Sequence, residues 1–427
     1  MRHLIICPEY PPAPIPTGGI GTYVRNIARL LAEAGETVHV IGPLWQEASE
    51  PVEELLGGRL IVHRLPADRA LDVPWNQGRE ALALDELNWL AWSALPAHSF
   101  SMQAALYAEK LIEDVGIDLI EAQEYDAPLY YFQLRRSLGL GPDRQPPCIV
   151  HLHSPSEMIF HYNDWNMARD DIRDARQMET FSIRNADLLL CPSRYLARQS
   201  EKHYNLDTDS INTIPLPVGN TPYLVRNIDV WREGSICFVG RLEPRKGVVE
   251  WIDAAVAVAN EYPALHFEFI GADLPYGEGR SVREHLESRI PGARMAQFAF
   301  RGNVSLDQLM DYLGKAKIAV VPSRWENFPN TCVEAMRTGL PVLASANGGM
   351  TEMIEDGSSG WIARSQDPAG LEKALRTALQ TPELELASMG RRAAERIGGV
   401  CNNDETLARH LELRSDLVMR SRPAGPT

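Results

Sequence analysis

Ser323-Arg324-Trp325-Glu326-Asn327-Phe328-Pro329-Asn330-Thr331-Cys332-Val333-Glu334-Ala335-Met336 places two carboxylates, Glu326 and Glu334, eight positions apart across a loop-to-helix junction. Upstream, Lys317 to Pro322 is a short apolar run with β-branched residues, the pattern of a buried parallel strand. Downstream, Thr331 to Thr338 carries helix-forming residues and Gly339 supplies a stop signal. Glu326 is therefore expected in the loop at the strand's carboxyl end, and Glu334 about one turn into the helix. Open α/β sheets bind their ligands at that place. Two carboxylates there suit a ligand rich in hydroxyls, and amides at the helix start, near Thr331 and Cys332, suit a phosphate.

Outward from this stretch, strand and helix alternate in two series. The first runs through strands at His3–Cys7, Thr37–Ile41, Leu60–Arg64, Leu119–Ala122, Ile149–His153 and Leu188–Cys191. Its first helix, Gly21–Ala34, lines up Val24, Ile27, Ala28 and Leu31 on one face. A proline-rich stretch, Ile214 to Pro222, has the composition of a hinge. The second series follows, with strands at Ile236–Val239, His266–Ile270, Gln297–Arg301, Ile318–Val321, Val342–Ala344 and Gly360–Ile362. Helices are expected at Val249–Tyr262, Leu306–Lys315 and Thr331–Thr338. The expected fold is α/β: two doubly wound, Rossmann-like parallel-sheet domains facing across a cleft. The boundaries read 1–215 for an acceptor-side domain and 216–400 for a donor domain. Residues 401–427 read as a helix returning to the first domain, with a disordered tail from Arg422.

Composition narrows the function. Hydrophobic residues make up 44% and charged residues 23%, an ordinary globular profile. The formal net charge of −15 disfavours sequence-independent nucleic-acid binding, so no nucleic-acid partner is expected. The opening run Met1 to Pro8 is too short for a signal peptide, and no apolar stretch reaches membrane-spanning length. Six scattered cysteines lack paired spacing, and four of them lie in or beside apolar strand-like runs and read as small hydrophobes, as in a reduced, cytoplasmic protein. Two aromatic segments interrupt the alternation. Residues 68–108, with Trp75, Trp89, Trp92, Phe100 and Tyr107, and residues 153–170, with Phe160, His161, Tyr162 and Trp165, read either as packing or as an acceptor-binding wall or lid.

Several positions carry chemistry. Gly18 and Gly19 precede the first helix and can bring backbone amides to a phosphate. They lie too far past the first strand for a dinucleotide fingerprint, and no acidic residue ends the second strand, so hydride chemistry is not expected. Arg241 and Lys246 stand just past a strand end, where two cations can neutralise a diphosphate leaving group. His151 and His153 share a strand face. Without an accompanying Cys or acidic ligand set, a single functional His153 with His151 in support is expected, and no metal. Asn347-Gly348-Gly349 with Glu352 again follows a strand and can let backbone approach a ligand.

In combination these motifs resemble the family 4 retaining glycosyltransferases of the GT-B fold. The resemblance rests on Gly18-Gly19 with Tyr23, the Val150–Ser154 strand end, Val239-Gly240-Arg241-Leu242 with Lys246-Gly247, Phe300-Arg301-Gly302, and Glu326 through Met336. It implies that Arg241 and Lys246 clamp the donor diphosphate, helped by backbone at Gly18 and Gly19. It places Glu326 and His153 beside the transferred sugar and Glu334 on the ribose hydroxyls. It further implies that backbone around Asn327, Phe328, Asn330 and Thr331 touches sugar and phosphate, and that the loop after Gly302 lines the base. Two departures stand out. Pro329-Asn330 replaces the family's frequent glycine after Phe328, and Glu121-Ala122-Gln123-Glu124 stands where many relatives have a histidine.

The implied reaction moves a hexosyl-type sugar from a nucleoside-diphosphate sugar to a glycan, lipid-linked or small-molecule acceptor hydroxyl, in polysaccharide, glycolipid or cell-envelope synthesis. It proceeds with retention and without a cofactor or a required metal. Peripheral contact with the inner face of a membrane goes with a lipid-linked acceptor. A sugar phosphorylase, a nucleotide-sugar epimerase and a non-catalytic sugar-nucleotide-binding scaffold are the alternatives on the same framework.

Overall fold

A computed structural model describes residues 1–12, 18–44, 50–66, 97–277 and 279–421. The chain divides into two compact units. One comprises Met1–Phe160, Asn166–Pro217 and the chain from Asn403; the other comprises His161–Trp165 and Val218–Asn402. Leaving the first unit at Pro217 puts the border within the proline-rich stretch.

The first unit holds eight strands: β1 (Arg2–Ile6), β2 (Thr37–Leu44), β3 (Val52–Leu55), β4 (Leu60–Pro66), β5 (Leu119–Gln123), β6 (Cys148–His151), β7 (Leu188–Cys191) and β8 (Ile211–Thr213). Their order is β3-β4-β2-β1-β5-β6-β7-β8, parallel except for β3, which runs antiparallel to β4 at one edge. Sequence reading passes over β3 and β8. Three of the four β3 residues are exposed, so no buried face marks the strand, and β8 has only three residues. The helix Gly19–Glu33 buries Val24, Ile27, Ala28 and Leu31 on the expected face, starting two residues early at Gly19. Phe100 and Tyr107 lie on the helix Ala97–Val115, while Trp75, Trp89 and Trp92 fall outside the described residues, as does the tail from Arg422. The C-terminal helix, Asn403–Ser421, sends Val418 into a cluster with Leu119, Ile149, Leu190 and Ile214. Burying each such side chain contributes roughly 1.5–3 kcal/mol.

The second unit is a six-stranded, wholly parallel sheet in the order β11-β10-β9-β12-β13-β14. Its strands are β9 (Ser235–Val239), β10 (Phe267–Ile270), β11 (Phe298–Gly302), β12 (Ala316–Val321), β13 (Val342–Ser345) and β14 (Gly360–Ala363). Strands buried on both faces are apolar where they are buried: β9 buries Ile236, Cys237 and Phe238, and β12 buries Ala316 and Ile318 to Val321, with Ser235 and Lys317 only half-buried. The chain order reverses at β1 in the first sheet and at β9 in the second. These are the points where such sheets open a crevice at their carboxyl ends. Among the described residues, no helix is long and apolar enough to cross a membrane.

Candidate functional site

Around the reversal point of the second sheet, the loop after β9 ends in a short turn, Pro244–Lys246, and the helix Val248–Ala259. Gly247 joins them at φ 68°, and a Cβ there would stand 2.0 Å from the Pro322 carbonyl oxygen at the end of β12. Only glycine allows this approach, which presses the basic turn against the loop carrying Glu326. There Arg245 Nη1 donates to Glu326 Oε1 at 3.0 Å, and Lys246 Nζ donates to the same oxygen. Glu243 Oε1 accepts from Arg245 Nη2 at 2.7 Å and from Arg241 Nη2 at 3.3 Å. Arg241 keeps 49% of its side chain exposed, whereas Arg245 is buried.

Burial by itself would raise the Glu326 carboxyl, but the charges of Lys246 and Arg245 more than offset it and hold the group below the usual carboxylate range. Burial pushes the Lys246 ammonium down against the pull of Glu326. An ionised Glu326 accepts hydrogen bonds and has no proton to give.

The Gly348-Gly349 turn has a role that the sequence left open. Gly349 N donates to the Glu326 carbonyl at 3.1 Å, and at Gly348 (φ 140°) a Cβ would meet that carbonyl oxygen at 1.9 Å. The close backbone approach is thus to Glu326 itself.

Residues 161–165 belong to this unit and brace the same loops. Asn163 Oδ1 accepts from Arg245 N at 3.0 Å, and Tyr162 stacks on Trp325 with ring centroids 6.1 Å apart. Arg324 pairs with Asp164 at 2.6 Å and with Glu250 at 2.7 Å. Part of the aromatic segment 153–170 therefore packs behind the candidate site.

The helix carrying Glu334 runs Asn330–Arg337 with Pro329 as N-cap and no side-chain cap, an arrangement open to an anion. Proline has no N–H, so the first amide after Phe328 belongs to Asn330. Asn327 and Phe328 are buried, while Asn330, Thr331 and Glu334 are half-buried. Gly302 ends β11 at φ 67° and accepts from Gly271 N at 2.8 Å.

In the first unit, Gly18 and Gly19 open the helix that carries Tyr23. The Tyr23 ring lies 4.4 Å from His151 and 4.8 Å from His153, and the two imidazoles are 4.3 Å apart. Burial, reinforced by His151, holds His153 well below the ordinary histidine range, so it is neutral at pH 7. Its backbone is set by Glu124, whose carboxylate accepts from His153 N at 2.7 Å and from Ser154 N at 2.5 Å. Burial pushes Glu124 up to about 7 against those bonds.

The structure thus gathers Arg241, Lys246 and Glu326 in one unit, and the Gly18-Gly19 helix, His151 and His153 in the other. Sequence reasoning missed Arg245, Glu243, Asn163 and Glu124. Glu243-Pro244-Arg245-Lys246 carried a signal in its clustered opposite charges. Asn163 and Glu124 carried none, because their partners are backbone amides. Among the described residues, no group of three or more His, Cys, Asp or Glu side chains is arranged to hold a metal ion.

Comparison with known proteins agrees with this layout. Residues 17–219 match the model of Glycosyltransferase Family 4, and residues 232–396 match Glycosyl transferases group 1. The D-inositol 3-phosphate glycosyltransferase of Geodermatophilus obscurus is 26% identical over 426 residues, covering 96% of this chain and 88% of that protein. Sucrose-phosphate synthase from Thermosynechococcus elongatus superposes with a TM-score of 0.77 at 22% identity, covering 98% of this chain and 99% of the other. Anabaena HepE in complex with UDP-glucose superposes at 0.65 and 16% identity, covering 97% and 100%. At these identities the two structures show a shared fold.

Proposed function

Since this chain belongs to the group 1, family 4 glycosyltransferases of the GT-B fold, we propose that it moves a hexosyl group from a nucleoside-diphosphate sugar to an acceptor hydroxyl with retention at the anomeric carbon. One observation carries this reading: Glu326 lies at the end of β12, buried and ionised, sharing one oxygen between Arg245 and Lys246 with Arg241 half-exposed alongside. A diphosphate brought to that point meets two cations, and a sugar beside it meets a hydrogen-bond acceptor. The HepE complex with UDP-glucose supports a donor of this class.

Arg241 and Lys246 bind the diphosphate and stabilise the charge that grows on it as the glycosidic bond breaks. Lys246 then divides its protons between phosphate and Glu326, while Arg245 keeps Glu326 ionised. Glu326 accepts from hydroxyls of the transferred sugar, and Glu334 from those of the ribose. Neutral His153 offers one ring nitrogen as donor or acceptor to the sugar. Amides of Asn330 and Thr331 and the backbone of Gly18 and Gly19 complete the phosphate contacts, and the loop after Gly302 lines the base. The acceptor hydroxyl attacks from the face the leaving group vacates, and its proton passes to the departing phosphate oxygen. Catalysis is then positioning and electrostatic stabilisation, with no metal assigned to the step. We place the protein in the cytoplasm, in keeping with its six buried, free cysteines. Its acceptor is a glycan, a lipid-linked sugar or a small molecule.

Thermal shift with UDP-, GDP- and ADP-sugars should identify the donor as the compound that raises the melting temperature. Arg241→Ala should then lower turnover by about 10²–10³-fold with the fold unchanged. Near-normal turnover in that variant overturns the diphosphate clamp, and an inverted anomeric proton signal in the product overturns retention.

A further inference from the structure

Within the first unit, the C-terminal helix delivers one charged residue into the centre of the sheet. Arg414 is fully buried and donates to Glu121 Oε2 on β5, itself 1% exposed. The other carboxylate oxygen, Oε1, accepts from the Tyr23 hydroxyl at 2.7 Å and stands 3.6 Å from His151 Nδ1. Tyr23 in turn packs its ring on His151 and His153.

Further charged and titratable neighbours come from the other elements around this point, with the buried Cys7 in range of the Glu121 charge and Arg409 in range of His410. His410, one turn before Arg414, lies 6.4 Å from His151 and 6.5 Å from Tyr23, ring to ring. On β1, His3 approaches Arg414 Nη1 at 3.5 Å through Nδ1 and Glu36 at 3.0 Å through Nε2, and Glu36 also takes the N-terminal ammonium.

We propose that Arg414 is a positioning residue for the sugar-side histidine: by pairing with Glu121 it holds Tyr23, His151 and, through them, His153 in one arrangement. The role of His153 rests on the transfer reaction proposed above; the link from Arg414 to His151 does not. Opposite charges in so dry a site interact strongly, and one left alone there draws a compensating proton. With Arg414 in place, Glu121 is satisfied by a guanidinium and a hydroxyl, and the buried imidazoles stay neutral. Burial and the Arg414 charge both hold His410 well below its ordinary range, and both also act to lower His151. Without Arg414, the Glu121 charge faces His151 directly. His151 then gains a proton and a new hydrogen bond, and the ring stack that seats His153 shifts.

The test combines histidine NMR with kinetics on the full chain. In the wild type, the ring signals of His151, His153 and His410 should stay those of neutral imidazole from pH 8 to pH 6. In Arg414→Met, His151 should titrate within that interval. The kcat should fall by up to about 10²-fold, the scale of a misplaced group, with donor KM unchanged. Arg414→Lys, which keeps the charge, and the double variant Arg414→Met/Glu121→Gln, which removes both charges, should return His151 to neutrality and recover most of kcat. A neutral His151 in Arg414→Met overturns the proposal. So does a double variant that titrates and turns over like the single one, since that reports lost packing alone. If the wild type transfers no sugar, the transfer reading fails while the titration still decides the role of Arg414.

Discussion

Both halves of the molecule bury a glutamate beside an arginine near the point where the strand order reverses, yet the two pairs do different work. In the second unit, Glu326 sits past the end of β12, and its cations, Arg245 and Lys246, adjoin the half-exposed Arg241. In the other half, Glu121 lies within β5, and its cation arrives on a helix from position 414. One pair is built where a ligand can join it; the other is sealed. Charge at a strand's carboxyl end can be shared with substrate, whereas charge inside a strand can only organise its neighbours.

The largest expected effect comes from the sealed pair. Glu121→Leu leaves Arg414 buried without its carboxylate and should cost about 3–5 kcal/mol in denaturant unfolding; a loss below about 1 kcal/mol would mean that water reaches the guanidinium. In the open pair, Lys246→Ala leaves Glu326 held by Arg245, so turnover should drop by about 10²–10³-fold with stability little changed. A melting temperature that collapses with turnover would make Lys246 a structural cation and erase the contrast.

Glu326 and Glu124 should answer pH in opposite directions. Glu326 is depressed, so its contribution is present above the unfolded value near 4.5 and is lost as pH falls through the folded value. Glu124 is raised by burial to about 7, so its contribution is complete below about 4.5 and is lost as pH rises through 7. Asp126 is likewise pushed up by burial to about 7. These two carboxyls therefore draw the melting temperature down as pH rises from 5 to 8, while His3 and His63, lowered by burial to about 4, act the other way below about 6.5. Glu124→Gln should tilt the profile upward toward pH 8, and an unaltered slope in the variant assigns the effect elsewhere. The smallest change is expected at the rim of the second unit. Asp164 is 72% exposed, and Asp164→Ala should alter stability by roughly 0–1 kcal/mol despite its bond to Arg324. A larger loss would show that residues 161–165 hang on that bond rather than on Tyr162 and Asn163.

Much of the second unit was legible because its chemistry is local. Apolar runs mark β9 and β12, and the residues just past them, Arg241, Lys246 and Glu326, must fall at strand ends. The glycines at 247 and 348 signal close approach without saying to what. Their partners, Pro322 and Glu326, emerge only when strands distant in sequence lie side by side. In the first half the signal was weaker. Edge strand β3 is too exposed to show a buried face, and Glu124 binds amides that every residue type but proline carries.

Periodicity and strand-end chemistry, both readable within a few residues, determined two doubly wound sheets and a cationic point facing Glu326. Only the tertiary structure decided that Arg245 completes the charge around Glu326, that Asn163 braces it, and that Arg414 answers Glu121. The physical reason is burial. A charge removed from water must find its partner within a few ångströms, and the chain supplies that partner from wherever packing brings it, 293 positions away in the last case.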